Sequence, residues 1–299
     1  MTLRLAPGIH LDIPTAEYFL DPCSEPSLTQ SIASVLLDKS PRHAALRHPR
    51  LNPAWEPYED TKFNIGNAAH KLLIGRGKEL VVVEADDWRT KAAKEERDAA
   101  HAAGKVAILP HQFETADDMA MSFREQIAAI PDCATAFVPD TGGHGEVVII
   151  AEYEGVILRS MVDWMRDPCH LDDLKTTGKS ASPENLPYVM ADGGWALQAA
   201  IQERILDVLD PDNRGRRHHY FYLQENDDPY EVTVCELPES VMTIGRAKLD
   251  RAIGIWRTCI QSNRWPGYAR VVHQPAYPPY LEARAIERLM GEADDDKAG

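Results

Sequence analysis

Between Gly145 and Thr177 the chain carries three successive strand-like runs, and the breaks between them contain the turn signals Glu154-Gly155 and Asp167-Pro168. That pattern leaves few folds open, because runs of this length joined by short turns pair with their neighbours as antiparallel hairpins. The first two, Gly145–Tyr153 and Val156–Trp164, are apolar almost without interruption, which predicts strands buried on both faces. The third, His170–Thr177, carries Asp173-Leu174-Lys175. Side chains alternate along a strand, so Asp173 and Lys175 project from one face and Leu174 from the other. Asp163 lies ten positions before Asp173, a separation that fits a strand, a turn and a second strand beside it. Two carboxylates and an ammonium then meet at one sheet edge. That set suits a divalent cation held by oxygen ligands, with a lysine beside an attacking water. Taken alone, Asp-x-Lys is more often an ordinary surface pair on an edge strand.

Charge bears on what such a site could act upon. The 299 residues hold 47 acidic and 32 basic side chains, for a net charge of −15. A field of that sign repels phosphate and argues against non-specific coating of nucleic acid. It leaves room for a local basic channel around an acidic metal site. No apolar run approaches the roughly 20 residues that span a bilayer, and the N-terminus lacks a signal-peptide core. A cytoplasmic protein with no membrane partner is expected. Five scattered cysteines, at 23, 133, 169, 235 and 259, form no Cys-x-x-Cys. Free, buried thiols are expected rather than a zinc ribbon or an iron–sulfur cluster.

The rest of the chain supplies covering elements and more candidates. Ile9, Leu11 and Ile13 alternate as in an edge strand. Ser27 to Pro41 reads as a helix capped by Ser27 or Thr29, and 45–60 as loop. Phe63 to Ile74 is a second helix, with small Gly66, Ala68 and Ala69 allowing close packing. His70 sits on its apolar face, where a histidine is usually a hydrogen-bonded core residue. Strands at 80–84 and 106–109 alternate with helices at 85–103 and 113–130. Glu146 opens the first long strand, where its carboxylate could share the edge with Asp163 or be a plain strand-end acid. After a loop over 176–187, Gly194 to Leu209 is an amphipathic helix with Gln198 and Gln202 one turn apart. Arg214, Arg216 and Arg217 make the most basic cluster, in a loop before a hairpin at 220–225 and 230–235, and 237–262 is helical. A single domain over 1–285 and an acidic mobile tail over 286–299 are expected.

The order of these elements and residues resembles the PD-(D/E)XK nuclease superfamily, and within it the exodeoxyribonuclease VIII-type branch of phage and prophage recombination nucleases. The resemblance runs from about Gly8 to Tyr268. It rests on Gly66-Asn-Ala-Ala-His70, Val162-Asp-Trp164, Asp173-Leu-Lys-Thr-Thr177, Leu197-Gln-Ala-Ala200, and Gln224-Glu225 with Pro229-Tyr230. The most specific part is Asp-Leu-Lys-Thr-Thr followed by Gln-Ala-Ala. Departures are Gln202 where the family commonly has tyrosine, Val162 where a proline often precedes the first aspartate, and Met161 where a basic residue is frequent.

The resemblance implies an α/β fold with a central mixed sheet flanked by helices, and an enzyme: a Mg²⁺-dependent exodeoxyribonuclease, with Mn²⁺ as an alternative ion. It would act on linear double-stranded DNA from 5′ to 3′, as a ring-shaped homo-oligomer partnered by a single-strand annealing protein. Asp163 and Asp173 would be the central metal ligands, joined by the backbone carbonyl of Leu174, by His70, and by Glu146 at a second metal or its water. Lys175 would orient or deprotonate the attacking water, and Gln198 would hold the Lys175 region or the substrate backbone. Arg214, Arg216 and Arg217 are candidate phosphate contacts, against the plainer reading of a solvated loop. Alternatives are a catalytically lapsed relative that binds a recombination partner, and a single-strand or structure-specific nuclease.

Overall fold

The computed structural model describes residues 4–56 and 65–295. In chain order the elements are β1 (Gly8–His10), α1 (Thr15–Phe19), α2 (Gln30–Asp38), α3 (Pro41–Arg47), α4 (Ile65–Ile74), β2 (Leu80–Val82), α5 (Lys91–Ala102), β3 (Val106–Ile108) and α6 (Pro110–Ala128). There follow β4 (His144–Tyr153), β5 (Val156–Asp167), β6 (His170–Thr177), α7 (Leu186–Gly193), α8 (Trp195–Leu209), β7 (His218–Glu225), β8 (Val232–Glu236), α9 (Glu239–Ser262) and α10 (Pro279–Asp295). Contacts divide the chain into two units, Met1–Gly267 and Tyr268–Gly299.

The six-stranded sheet of the first unit has the order β1-β4-β5-β6-β7-β8. All its neighbours run antiparallel except β6 and β7, which are parallel. A parallel pair needs a crossover, and the α7–α8 segment supplies it. Short β2 and β3 pair separately and in parallel. The expected α/β architecture, a mixed central sheet with helices on its faces, is therefore what the chain adopts.

The long strands are apolar on both sides because both sides are covered. Val147, Ile149 and Leu158 pack with Leu197, Ile201 and Ile205 of α8 and with Leu249, Ile253 and Trp256 of α9. Against the other face, Leu73 and Ile74 of α4 and Phe123 and Ile127 of α6 pack with Trp164, Leu174 and Tyr222. Helices α8 and α9 meet closely at Gly245, where a Cβ would come within 2.1 Å of the Ala196 carbonyl oxygen. The segment before α2 is drawn onto β5: Leu28 N–H donates to Ile157 O at 2.8 Å, and Arg159 N–H donates to Leu28 O at 3.1 Å. Thr29 then caps α2, its Oγ1 accepting from Ile32 N–H at 3.4 Å.

Several boundaries differ from the sequence reading. Pro41 follows α2 but also opens α3 at its first helical position, where a missing N–H costs nothing; the reading of 45–60 as loop missed that helix. Helix α7 overlaps the 176–187 stretch read as loop only at its first two residues, and the rest of it falls where the sequence reading assigned no element. Phe63 and Asn64, read as the start of the second helix, lie outside the described residues. In the second unit α10 runs Pro279–Asp295, across the boundary drawn at 285. None of the five cysteines forms a disulfide, and among the described residues no helix is long and apolar enough to cross a membrane.

Candidate active site

Strands β5 and β6 pair through Trp164 opposite Asp172 and no further. At the next position Asp163 Oδ2 accepts the Leu174 N–H at 3.0 Å, so a side chain replaces a ladder bond and the strands part. The other neighbour of β5 breaks at the same place. Gly145 lies opposite Trp164 and Val147 opposite Val162, and Glu146 between them has φ 50°, in the left-handed region. That conformation is unfavourable for a residue with a Cβ and tends to persist where function requires it. Val162 packs into the α8–α9 core and Trp164, two residues on, into the α4–α6 core. Alternation therefore breaks at Asp163, and Glu146 faces it across a paired irregularity. Glu146 is 7% exposed, and Thr15 Oγ1 donates to its Oε2 at 2.9 Å.

His70 reaches this point from α4, with Nε2 3.5 Å from Asp163 Oδ2. The helix comes that near because residue 66 is glycine: a Cβ there would lie 2.2 Å from Thr176 Oγ1 on β6. On the far side of β6, Asp173 and Lys175 share a face, as strand alternation requires. Lys175 Nζ pairs with Asp173 Oδ1. Gln198, in the first turns of α8, bridges them: its Oε1 accepts from Lys175 Nζ at 3.2 Å, and its Nε2 donates to Asp173 Oδ2.

Electrostatics divides the two aspartates. Burial, reinforced by the negative charge of Asp163, pushes Asp173 up to about 6 against the pull of Lys175 and Gln198. Burial would raise Asp163 too, but His70, Lys175 and the Leu174 N–H outweigh it and hold that carboxyl below its usual range. His70 is raised: burial opposes its charged form, and Asp163, Glu146 and Asp173 overcome it. Lys175 is likewise raised, Asp173 and Asp163 outweighing burial.

Whether the donors fit a divalent cation can be judged from the same contacts. Among the described residues, no three of His, Cys, Asp or Glu are placed to ligate one ion directly. The local contacts show why: Asp173 is engaged by Lys175 and Gln198, and Asp163 by His70 and the Leu174 N–H. The chemistry of the set does fit. The carboxylates of Asp163, Asp173 and Glu146 are hard oxygen donors, and the repulsion that raises Asp173 is what a cation would relieve. His70 extends the set toward Mn²⁺.

The three arginines are not part of this assembly. Arg217 has a fully buried side chain bonded to Asp207 Oδ1, Pro168 O, Leu206 O and Asp210 O. Its guanidinium ties the end of α8 to the start of β7 and is not available to a phosphate. Arg214 is exposed, with Nε 3.5 Å from Asp207 Oδ2, and Arg216 is exposed. All three lie near the C-terminal end of α8, roughly 13 Å along the helix axis from Gln198 at about 1.5 Å per residue. Sequence reasoning missed Thr15, for which no local signal exists. It noted Gln202 for its place one turn from Gln198 and as a departure from the family; Gln202 is buried, and its Nε2 has no hydrogen-bond partner among the described residues.

The parted strands, the buried acids and the lysine on one mixed sheet define a protein of the PD-(D/E)XK type. A sequence profile described as a PDDEXK-like domain of unknown function, DUF3799, matches residues 35–273, and the chain belongs to that family. Among solved structures it is similar to the crystal structure, at 2.19 Å resolution, of a protein from Eubacterium rectale described as a "putative exonuclease". The two are 11% identical, with 90% of this chain and 97% of that chain covered and a TM-score of 0.57, a likeness of fold. No curated protein matches by sequence.

Proposed function

We propose that this protein is a divalent-metal-dependent deoxyribonuclease that degrades linear double-stranded DNA from its ends. The observation that carries the reading is the convergence of His70, Glu146, Asp163, Asp173, Lys175 and Gln198 from helices α4 and α8 and strands β4, β5 and β6. Residues far apart in sequence meet where two strands separate, and each is held by another member of the set or, for Glu146, by Thr15. Asp163, Asp173 and Glu146, with the Leu174 carbonyl and His70, would hold Mg²⁺ or Mn²⁺. A bound ion would supply Lewis acidity and neutralise charge developing on the phosphate.

The side chains have separable tasks. Lys175 presents an ammonium at the cleft that orients the attacking water and offsets phosphate charge. Gln198 fixes Lys175 against Asp173 by accepting from one and donating to the other. His70 holds Asp163 in place from the opposite side. The 5′-to-3′ direction, a ring assembly, an annealing-protein partner and a role in phage-type recombination rest on the sequence resemblance alone.

The test is a digest of end-labelled linear duplex beside a covalently closed circle of the same sequence, with Mg²⁺ and with chelator. Mg²⁺-dependent release of nucleotides from the linear form only is expected, and it should vanish in Asp173→Asn and Lys175→Ala proteins that retain the wild-type circular dichroism. Full activity in either folded variant, or none in the wild type, would overturn the reading.

A further inference from the structure

At the end of the sheet where β6 and β7 begin, an acid, two histidines and a second acid lie in strand order. Asp167 ends β5 opposite His170 of β6, His170 is the register partner of His218 on β7, and Glu236 ends β8. Asp167 Oδ2 lies 2.8 Å from His170 Nδ1, and Glu236 Oε1 lies 2.7 Å from His218 Nδ1. An ionised carboxylate only accepts, so each Nδ1 carries a proton and each neutral ring keeps its lone pair on Nε2. Neither Nε2 has a hydrogen-bond partner among the described residues, and the two side chains are 37% and 45% exposed. The rings face each other, with centroids 5.3 Å and planes 14° apart. Tyr220 lies along His218 at 6.2 Å and 16°.

A histidine that ligates a metal typically gives its other ring N–H to a carboxylate, which fixes the tautomer and raises the basicity of the ligating nitrogen. Both rings have that arrangement. The local charge also favours a cation: Asp167 and Glu236 flank the pair, and the guanidinium of Arg166, which lies over Tyr220, is occupied by Asp172 through Nε and Nη2 at 2.9 Å each. Two nitrogens roughly 2.0–2.1 Å from a tetrahedral zinc stand about 3.4 Å apart. Near-parallel rings 5.3 Å apart reach that spacing if each leans inward by about 1 Å, a small turn for a half-exposed side chain. Imidazole suits Zn²⁺, Cu²⁺ and Ni²⁺, whereas Mg²⁺ takes oxygen. The pair offers two ligands rather than three, and water completes the shell.

We propose that His170 and His218 form a surface site for a zinc-class ion, with Asp167 and Glu236 holding the rings. The ion would join the first residues of β6 and β7, the parallel pair of the sheet, which has no hairpin turn to hold it together. His170 shares a face of β6 with Asp172, whereas Asp173 and Lys175 project from the other. None of the four residues belongs to the acidic cluster, so the site needs nothing from the nuclease reading.

The test is a calorimetric titration of the metal-free full chain with Zn²⁺, in excess Mg²⁺ to occupy the acidic cluster, with thermal unfolding followed in parallel. About one Zn²⁺ per chain that Mg²⁺ does not displace is expected, with a rise in Tm of a few degrees. His170→Gln and His218→Gln should each abolish both effects. Asp167→Asn and Glu236→Gln should weaken binding about ten- to a hundredfold and leave the zinc-free circular dichroism unchanged. His70→Gln should keep the zinc equivalent. No such equivalent in excess Mg²⁺, or one that survives His218→Gln with wild-type affinity, would overturn the proposal. So would an equivalent lost in His70→Gln, because the ion would then sit in the acidic cluster.

Discussion

Gly66 is the position where one added carbon should do most to the site without touching it. A Cβ there would lie 2.2 Å from Thr176 Oγ1, 3.0 Å from Thr176 Cβ and 3.1 Å from Thr176 Cγ2. Rotating the Thr176 side chain moves Oγ1 and Cγ2 but not Cβ, so helix α4 must rise from β6 by several tenths of an ångström to regain a normal contact near 3.5 Å. His70 is one helical turn further on, on the same face, and its 3.5 Å approach to Asp163 has little slack. Overpacking of this kind costs about 1–3 kcal/mol, partly offset by the roughly 1 kcal/mol that alanine gains over glycine inside a helix. The functional loss should exceed the structural one, because displacements near 1 Å at a reacting centre cost up to about a hundredfold. Gly66→Ala is therefore expected to shift thermal unfolding by only a few degrees while lowering kcat between tenfold and a hundredfold. Thr176→Gly removes all three clashing atoms, so adding it should restore much of the rate, with a coupling of about 1–3 kcal/mol in a double-mutant cycle. Unchanged kcat in Gly66→Ala, or no rescue by the second substitution, would refute the claim that this contact sets the reach of His70.

Three further outcomes follow from buried charges. Burial would raise Asp21, but hydrogen bonds from His48 and Ser27 and the charge of Arg159 hold it well below the usual carboxylate range. Its contribution is present above the unfolded value near 4 and lost as pH falls through the folded one, and urea melts should show Asp21→Asn flattening that acid limb at a cost of about 3–5 kcal/mol at pH 7. His219 is pushed down to about 4 by burial, with Arg217 and Arg246 adding to the effect and Glu203 opposing it, so stability should fall by roughly 3 kcal/mol as pH drops from about 6.5 to 4. His219→Phe should remove that slope, and an unchanged slope would show that His219 is not its source. Arg217→Ala should cost about 3 kcal/mol in chemical denaturation, whereas Arg214→Ala and Arg216→Ala should stay within about 0.5 kcal/mol; equal effects from all three would undo the distinction between an internal clamp and a solvated loop.

The two residue types that recur at fixed spacing, apolar side chains and turn formers, made most of the sheet legible. Strands β4 and β5 follow from near-continuous apolar runs, β6 from its place after the Asp167-Pro168 turn, and the cap and apolar stripe of α2 from helical periodicity. What was not legible depended on contacts between distant segments. Helix α3 was hidden because Pro41 works both after a helix and at the start of one. The parting of β5 from β6 at Asp163 is a departure from alternation that no run of residue types announces, since it needs Glu146 in the left-handed region and the Leu174 N–H turned to a side chain. Arg217 looked like a phosphate contact because a run of basic residues does not show which guanidinium is enclosed by carbonyls. Asp163, Asp173, Lys175 and Gln198 were nameable from the order of motifs, while Thr15 and the Gly66–Thr176 contact appear only once the chain is folded.

The charges of the assembled site also bear on how an acidic protein would act on a polyanion, as the proposed function requires. Glu146, Asp163 and Asp173 set three carboxylates against the single ammonium of Lys175, and His70 must be neutral to ligate a metal, leaving the cluster near −2. A phosphodiester brought against it adds another negative charge, and in a buried setting such like charges repel strongly. One divalent cation offsets two of those charges, whereas a second lysine in its place would offset only one. The −15 of the whole chain thus matters less than the sign of charge within about 10 Å of the site, the range over which salt leaves it unscreened.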